Sequence, residues 1–319
     1  MGRGFESLLR HQSPRATIES SSIAGVHLRA PDSGFSLFRL LTILPFPVLR
    51  VLAAFVAFWV RVLGWRRGLV DRYLARCLSD RTEAERNNVA SGFYRYLGEL
   101  VAEVVHGPRI AQAELEARVT LDNPEVVQSQ LDAGKRVLIL AAHHCNWEWL
   151  LLRCSTAFSE PLWAAYKPPT LASGDRALKR MRMRFGATLV PAKELVQSLL
   201  ERRGTVRLLA MNADQSPAAS NEQQTWLPFF GQETAFYRGP GWIASKMGYA
   251  VAFAAMRRVR EGHYAVRFVP LTGAEQRIKD PDDVLVAYAS ALQAHVNEHP
   301  VEYFWAYKRW KRGKRLYDK

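Results

Sequence analysis

Three things are scarce in this chain of 319 residues. Cysteine occurs three times, as Cys77, Cys145 and Cys154. That odd, small number excludes a disulfide framework and points to a reducing compartment. Acidic residues are outnumbered, 30 Asp and Glu against 44 Lys and Arg, for a formal charge of +14. Such an excess calls for an anionic partner: nucleic acid, an anionic membrane face, a phosphorylated substrate or an acidic carrier protein. Also missing is an apolar run long and clean enough for an ordinary spanning helix, which needs about 20 largely uncharged residues. The closest approach, residues 36–65, is rich in Leu, Val, Phe and Ala but is broken by Arg39, Pro45, Pro47, Arg50 and Arg61. It reads as a membrane-embedded or interfacial anchor whose arginines snorkel to the headgroups. No secretory leader is expected, because residues 1–34 mix Arg, Ser, Gly, His and Pro without periodicity and the apolar part starts too late.

What is present is regular punctuation from residue 66 onward. Thr82-x-x-Glu85 is a capping-box signature, and Val89, Phe93, Leu97, Leu100, Val101 and Val104 follow at helical spacing. Asn123-Pro124 reads as an N-cap with a first-turn proline, and Gly134 as the residue that ends that helix before a strand at 136–142. Helices are expected near 174–185, 192–203, 239–247 and from Asp280 to about 298. Strands are expected at 187–190, 206–211, 250–256 and 263–269. Alternating strands and helices argue for an α/β fold with a mostly parallel sheet flanked by helices. The chain divides into a mobile arm (1–34), an anchor helix (35–65) and an α/β domain (66–319), with no repeat or linker inside the last.

The chemistry gathers at residues 136–152. An apolar run, Val137 to Ala142, changes abruptly into His143, His144, Cys145 and Asn146, and then into a helix-like stretch carrying Glu148. A strand buried on both faces that feeds a polar turn and a helix is where α/β proteins place their sites. His143 and Glu148 would lie roughly 140° apart in one continuous helix. They can meet only if His143 sits in the turn, where Glu148 could fix its tautomer and leave the other ring nitrogen to act as a base. Chance alone supplies roughly 0.75 His–acid pairs at this spacing, and His27 with Asp32 is one such decoy. His144, four residues before Glu148, competes for the same partner.

Other candidates fall at the carboxyl ends of neighbouring strands. Asp214 and Gln215 follow the strand at 206–211 and should lie near His143. Arg182, within a basic helix face that includes Lys179, Arg180 and Arg184, could bind a phosphate or support an oxyanion. Arg238, ahead of Gly-Pro-Gly, could serve an anion at a helix start. Trp226 to Gly231 reads as an apolar loop able to line a hydrophobic tunnel, with plain packing as the alternative. The tail from Lys308 to Arg315 carries six cations around Trp310 and suits an anionic membrane surface. Cys145 beside His144 invites a thiol or zinc reading, but no second Cys/His cluster exists, and nothing here asks for a metal or a cofactor.

Taken together, five blocks in order resemble the late acyltransferases of lipid A biosynthesis. His143-His144-Cys145-Asn146-Trp147-Glu148 is similar to that family's H-x-x-x-x-[DE] motif, and Arg182-Met183-Arg184 ahead of Phe185-Gly186 to its Arg-x-Arg block. Asp214-Gln215, Phe229-Phe230-Gly231 and Trp305-Ala306-Tyr307-Lys308-Arg309-Trp310 complete the series, over about residues 36–312. The resemblance implies an O-acyltransferase at the cytoplasmic face of a bacterial inner membrane. It implies an acyl-carrier-protein thioester as donor, a hydroxyl of an anionic glycolipid as acceptor and no nucleic acid. It makes His143, not His144, the base, with Glu148 orienting it and Arg182, Asp214, Gln215 and Arg238 binding substrate. Two positions depart from the family: Cys145 replaces a usual glycine, and Phe236-Tyr237 stand where threonine is common. Two readings of other classes remain, a metal-dependent hydrolase built on His143, His144 and Asp214, and a non-enzymatic membrane or nucleic-acid binding protein.

Overall fold

A computed structural model describes residues 40–167, 172–202, 204–217, 223–272, 278 and 280–310. The amino-terminal arm, Arg39 and the last cations of the tail, Lys311 to Arg315, lie outside the described residues.

Seven strands form one sheet in the order β1-β9-β8-β2-β5-β3-β4. Their spans are β1 Val119–Leu121, β2 Arg136–Ala141, β3 Leu162–Tyr166, β4 Thr188–Pro191, β5 Leu208–Asn212, β8 Tyr249–Arg260 and β9 His263–Pro270. All pairings are parallel except β8 with β9, an antiparallel hairpin. The mostly parallel, helix-flanked α/β architecture is therefore present.

β2 sits near the middle, and its side chains alternate between two cores. Leu138 and Leu140 enter one, while Val137, Ile139 and Ala141 enter the other. Burial on both faces is what a continuous apolar run in a parallel strand demands.

Ten helices, α1 to α10, are labelled in chain order among the described residues. They are α1 Phe46–Val62, α2 Arg67–Cys77, α3 Glu83–His106, α4 Gln112–Arg118, α5 Glu125–Asp132, α6 Trp147–Ala157, α7 Ala172–Arg182, α8 Leu195–Glu201, α9 Gly239–Met247 and α10 Pro281–Glu298. The Thr82–Glu85 capping box forms at the start of α3, and Asp280 caps α10 by accepting from the Asp282 amide. Asn123 does not cap α5. Its side chain exchanges two hydrogen bonds with the Phe268 backbone and so pins β9 to the start of that helix. The segment from Trp226 to Gly231 is not a loop. It belongs to a second, two-stranded sheet, β6 Gln224–Phe229 with β7 Gln232–Tyr237, whose Phe229, Phe230 and Phe236 are buried in the core. Phe236, one of the two departures from the family pattern, is thus core packing.

The anchor segment becomes α1, with Pro45 as its N-cap and Pro47 in its first turn. Both prolines stand where no amide donor is needed, so they start the helix instead of breaking it. Leu49, Ala53 and Ala57 bury against α3. At the crossing, a Cβ on Gly98 would lie 2.7 Å from the Ala57 Cβ and 2.8 Å from the Ala53 carbonyl oxygen, so only glycine lets the helices approach this closely. Arg50 pairs with Glu261 at the β8–β9 turn, and Arg61 donates to the Ser91 hydroxyl at 2.7 Å. The opposite face leaves Val51, Phe55, Phe58, Trp59 and Val62 exposed. Among the described residues no single helix is long and apolar enough to cross a membrane, although α1 and α2, bent by 83°, pass that test as a pair.

Candidate active site

β2 and β5 are neighbours in register, Ala141 opposite Asn212. Two residues further along each strand, that register sets His143 beside Asp214 at the carboxyl edge of the sheet. The contact is close: His143 Nδ1 donates to Asp214 Oδ1 at 2.7 Å, and the His143 backbone amide donates to Oδ2 at 2.9 Å. Gln215 Nε2 donates to His143 Nε2 at 3.2 Å. This fixes the tautomer, with the proton on Nδ1 and a lone pair on Nε2, the form a general base requires. Trp147 lies against the ring at a centroid distance of 4.9 Å.

Burial disfavours the charged imidazolium, but the Asp214 carboxylate outweighs it through charge and hydrogen bond, with Glu148 adding a smaller push. The His143 pKa is therefore raised above its ordinary 6.5. Burial pushes the Asp214 carboxyl upward, whereas His143, by charge and by two hydrogen bonds, and the charge of Arg309 hold it below its usual value. Asp214 is 4% exposed at its side chain against 19% for His143, so the dyad is closed behind and open in front.

Glu148 does not orient His143, contrary to the expectation from sequence. α6 begins at Trp147, capped by the Asn146 side chain accepting from the Trp149 amide, which puts Glu148 in the first turn facing α7. There Arg182 takes both of its oxygens, Nε to Oε2 at 2.7 Å and Nη2 to Oε1 at 2.5 Å, and Trp147 Nε1 adds a third bond at 3.2 Å. A fixed guanidinium fork outcompetes a single imidazole for a carboxylate because it satisfies both oxygens in one plane. Arg238 is likewise engaged elsewhere: its Nε donates to Asp282 Oδ1 at 2.8 Å, at the start of α10.

His144 points the other way. Its ring nitrogens face the Met256 carbonyl at 3.1 Å and the His299 carbonyl at 2.8 Å, and it is 4% exposed. Burial, with His295 beside it, drives its pKa down to about 3, so it stays neutral. A neutral ring carries a single N–H, so it bonds one of these two carbonyls, tying the turn either to the β8 backbone or to the end of α10. Cys145, the other departure from the family, adopts φ 52, the left-handed backbone that glycine accepts freely. Its thiol is fully buried, donates to the Met256 carbonyl and is pushed well above its usual pKa by burial, which makes it inert as a nucleophile. Among the described residues no three His, Cys, Asp or Glu side chains stand together as metal ligands would.

Two supporting residues escaped the reading of the sequence. Arg309 is 3% exposed, with its guanidinium carbon 4.4 Å from the Phe236 ring centroid and Nη1 donating to the Ser216 hydroxyl at 3.0 Å. Among the described residues its Nε and Nη2 find no hydrogen-bond partner, and its charge helps hold the Asp214 pKa down. The final Trp-x-x-x-Arg-Trp block was the available signal, but nothing in it said which charge the arginine faces. The second residue is Glu103 on α3, 1% exposed, whose Oε2 accepts from the Asn146 side chain and from the Tyr264 hydroxyl, both at 2.7 Å. It anchors the cap of α6 and hence the turn that carries His143. The segment 302–304 pins the same turn: Cys145 N donates to the Glu302 carbonyl and Phe304 N to the His143 carbonyl, each at 3.0 Å.

The site is thus an imidazole at the carboxyl edge of an α/β sheet, braced by a buried acid and by the carboxyl-terminal motif. The profile of bacterial lipid A biosynthesis acyltransferases matches residues 31–312. The chain belongs to that family. It is an acyltransferase of lipid biosynthesis. No curated protein matches the chain. Among solved structures, the 1-acyl-sn-glycerophosphate acyltransferase PlsC from Thermotoga maritima is similar over 81% of this chain and 99% of its own. The identity is 12% and the TM-score 0.35.

Proposed function

We propose that this family member moves a fatty acyl chain from an acyl-carrier-protein thioester to a hydroxyl of an anionic glycolipid resembling a lipid A precursor, at the cytoplasmic face of an inner membrane. The observation that carries the reading is the His143–Asp214 dyad, which leaves Nε2 as the acceptor nitrogen of a partly exposed ring, held in this structure by the Gln215 amide. The acceptor hydroxyl displaces the Gln215 amide from His143 Nε2, which takes the hydroxyl proton as the oxygen attacks the thioester carbonyl. Negative charge collects on the carbonyl oxygen, facing the Gln215 amide and the amino terminus of α6. The C–S bond then breaks, the imidazolium returns its proton to the departing thiolate, and ester and thiol are released.

Asp214 takes the orienting role expected of Glu148. It holds the Nδ1 proton and stabilises the imidazolium as it forms. Glu148 and Arg182 act as a unit: the carboxylate fixes the guanidinium at the rim, where it can meet substrate phosphate. The excess of basic residues suits a donor, an acceptor and a membrane that are all anionic.

Turnover of acyl-carrier-protein thioester by His143→Ala protein should fall by roughly 10²–10⁴-fold, and Asp214→Asn should fall by a comparable factor through the wrong tautomer. His144→Ala should lose stability first and retain far more turnover per folded molecule. Near-normal turnover by His143→Ala would overturn the assignment. Lipid mass spectrometry of cells with and without the protein identifies the acceptor and the chain length.

A further inference from the structure

At the far end of β2 from His143, the sheet's amino-terminal edge holds a cavity of about 310 Å³. Arg136, the first residue of β2, Val206 leading into β5, and Tyr249, the first residue of β8, form its back wall. Met247 at the end of α9 closes one side. Among the described residues three cations line it, Arg136, Arg202 and Lys246, and no acidic residue does.

Among the described residues none of the three cations has a carboxylate partner. Arg136 Nη1 donates to the Met247 carbonyl at 2.8 Å, which uses one of its five N–H donors and fixes the guanidinium at the cavity wall. Arg202 lies 5.4 Å over the Trp163 ring, a neutral support that leaves its charge uncompensated. The Tyr249 hydroxyl is already committed to the Val206 carbonyl at 2.7 Å, so the polar recognition in the cavity is cationic. The carboxyl end of α9 accounts for a cation or two there, since Lys246 and Arg136 offset its dipole. Arg202 comes from the other side, as the C-cap of α8, so the carboxyl ends of two helices bring their cations to one cavity. Three like charges around one small cavity favour an anion between them.

We propose that this cavity is a second binding site, which takes a phosphate monoester. Its dianionic group sits among Arg136, Arg202 and Lys246, and its apolar portion lies over Val206 and Met247. The volume stands at the lower end of small-ligand pockets, enough for a phosphate with a short organic body. Six strand residues at about 3.3 Å each separate it from the dyad, roughly 20 Å in all, so the site is distinct from the acyl-transfer centre. The phosphate belongs either to a soluble metabolite or to the headgroup of an anionic lipid. In either case, binding clamps β2, the lead into β5 and α9 together and stabilises the fold by mass action.

The test uses the full chain in detergent, titrated calorimetrically with inorganic pyrophosphate. In parallel, flotation compares vesicles of phosphatidic acid in phosphatidylcholine with phosphatidylcholine alone. The double variant Arg202→Ala/Lys246→Ala alters two exposed side chains outside the acyl-transfer centre and should keep the basal transfer rate. The expected result is saturable one-to-one binding, weakened at least tenfold in the double variant and unchanged in His143→Ala protein. Binding of pyrophosphate in solution assigns the site to a soluble phosphate. A phosphatidic-acid preference that needs Arg202 and Lys246, with no pyrophosphate binding, assigns it to a lipid headgroup. The proposal is overturned if neither probe binds. It is equally overturned if binding ignores the double variant, or is lost in His143→Ala, since the anion then sits elsewhere.

Discussion

His143 shows how a single side chain acquires a role from what lies beneath it. Its pKa is raised by the Asp214 carboxylate against the opposing effect of burial. A base works only when neutral, so kcat/KM should climb with pH along an acidic limb whose midpoint lies above 6.5. Asp214→Asn should move that limb to lower pH while lowering the plateau, and a pH–rate profile of the two proteins checks both. Glu103 titrates in the opposite functional sense. Burial raises its pKa to about 7, offset in part by the bonds from Tyr264 and Asn146. Its folded value lies above its unfolded one, so the folded state is favoured most at low pH and loses stability as pH climbs from about 4.5 to about 7. Glu103→Gln keeps the shape and removes the ionisation. Its stability should therefore be flatter over that window and exceed wild type near pH 8 by an amount on the order of 1–3 kcal/mol. Denaturant melts at pH 5 and pH 8 measure it, and an unchanged pH slope would show that Glu103 does not ionise in this range.

Elements, not residues, decide how close the helices come. α1 and α3 cross where Gly98 meets Ala53 and Ala57. Gly98→Ala would press a methyl group into the Ala53 backbone, which cannot swing aside as a flexible side chain can. A loss of about 1–3 kcal/mol is expected, the ordinary cost of overpacking. Differential scanning calorimetry should show the loss in the melt, while the pH dependence of turnover stays as in wild type. Gly92→Ala, six residues nearer the capping box on the same helix, meets only the Val301 side chain and should cost less. The Glu148–Arg182 pair belongs to this scale as well, because it joins the first turn of α6 to the last turn of α7. Glu148→Gln leaves a largely buried guanidinium without its counter-charge. It should lower stability by about 3 kcal/mol or somewhat less, given the partial exposure of Arg182, as read from urea denaturation.

For the whole molecule, the unanswered apolar face of α1 matters most. Its inner face is satisfied by α3, and its arginines are drawn to Glu261 and Ser91, so Phe55, Phe58 and Trp59 face outward together. On the function proposed above, a lipid surface covers this face. Each large side chain that enters the interface contributes on the order of 1–2 kcal/mol. Phe55→Ser with Trp59→Ser should thus weaken vesicle binding by at least tenfold in a sedimentation assay while leaving the melt of the catalytic fold nearly unchanged. Vesicle binding equal to wild type would mean that another surface carries the attachment.

The sequence by itself determined the order of strands and helices around the site, because an apolar run buried on both faces and a capping residue are local signals. The span of α9, the cap at Asp280 and the placement of His143 at the mouth of β2 were all legible. The short β1, the strand β3 and the β6–β7 hairpin were not, since their residues earn strand geometry only by pairing with distant partners. Spacing along the chain made Glu148 the obvious partner of His143. Only the tertiary structure decided for Asp214, because the choice depends on which strand lies next to β2 and in what register, and no local pattern encodes that. It also decided that Arg182 claims Glu148, that Arg309 lies buried where its charge reaches Asp214, and that Glu103 holds the cap of the helix behind the base. Charges and hydrogen bonds act through space, so partners far apart in the chain become visible only once it is folded.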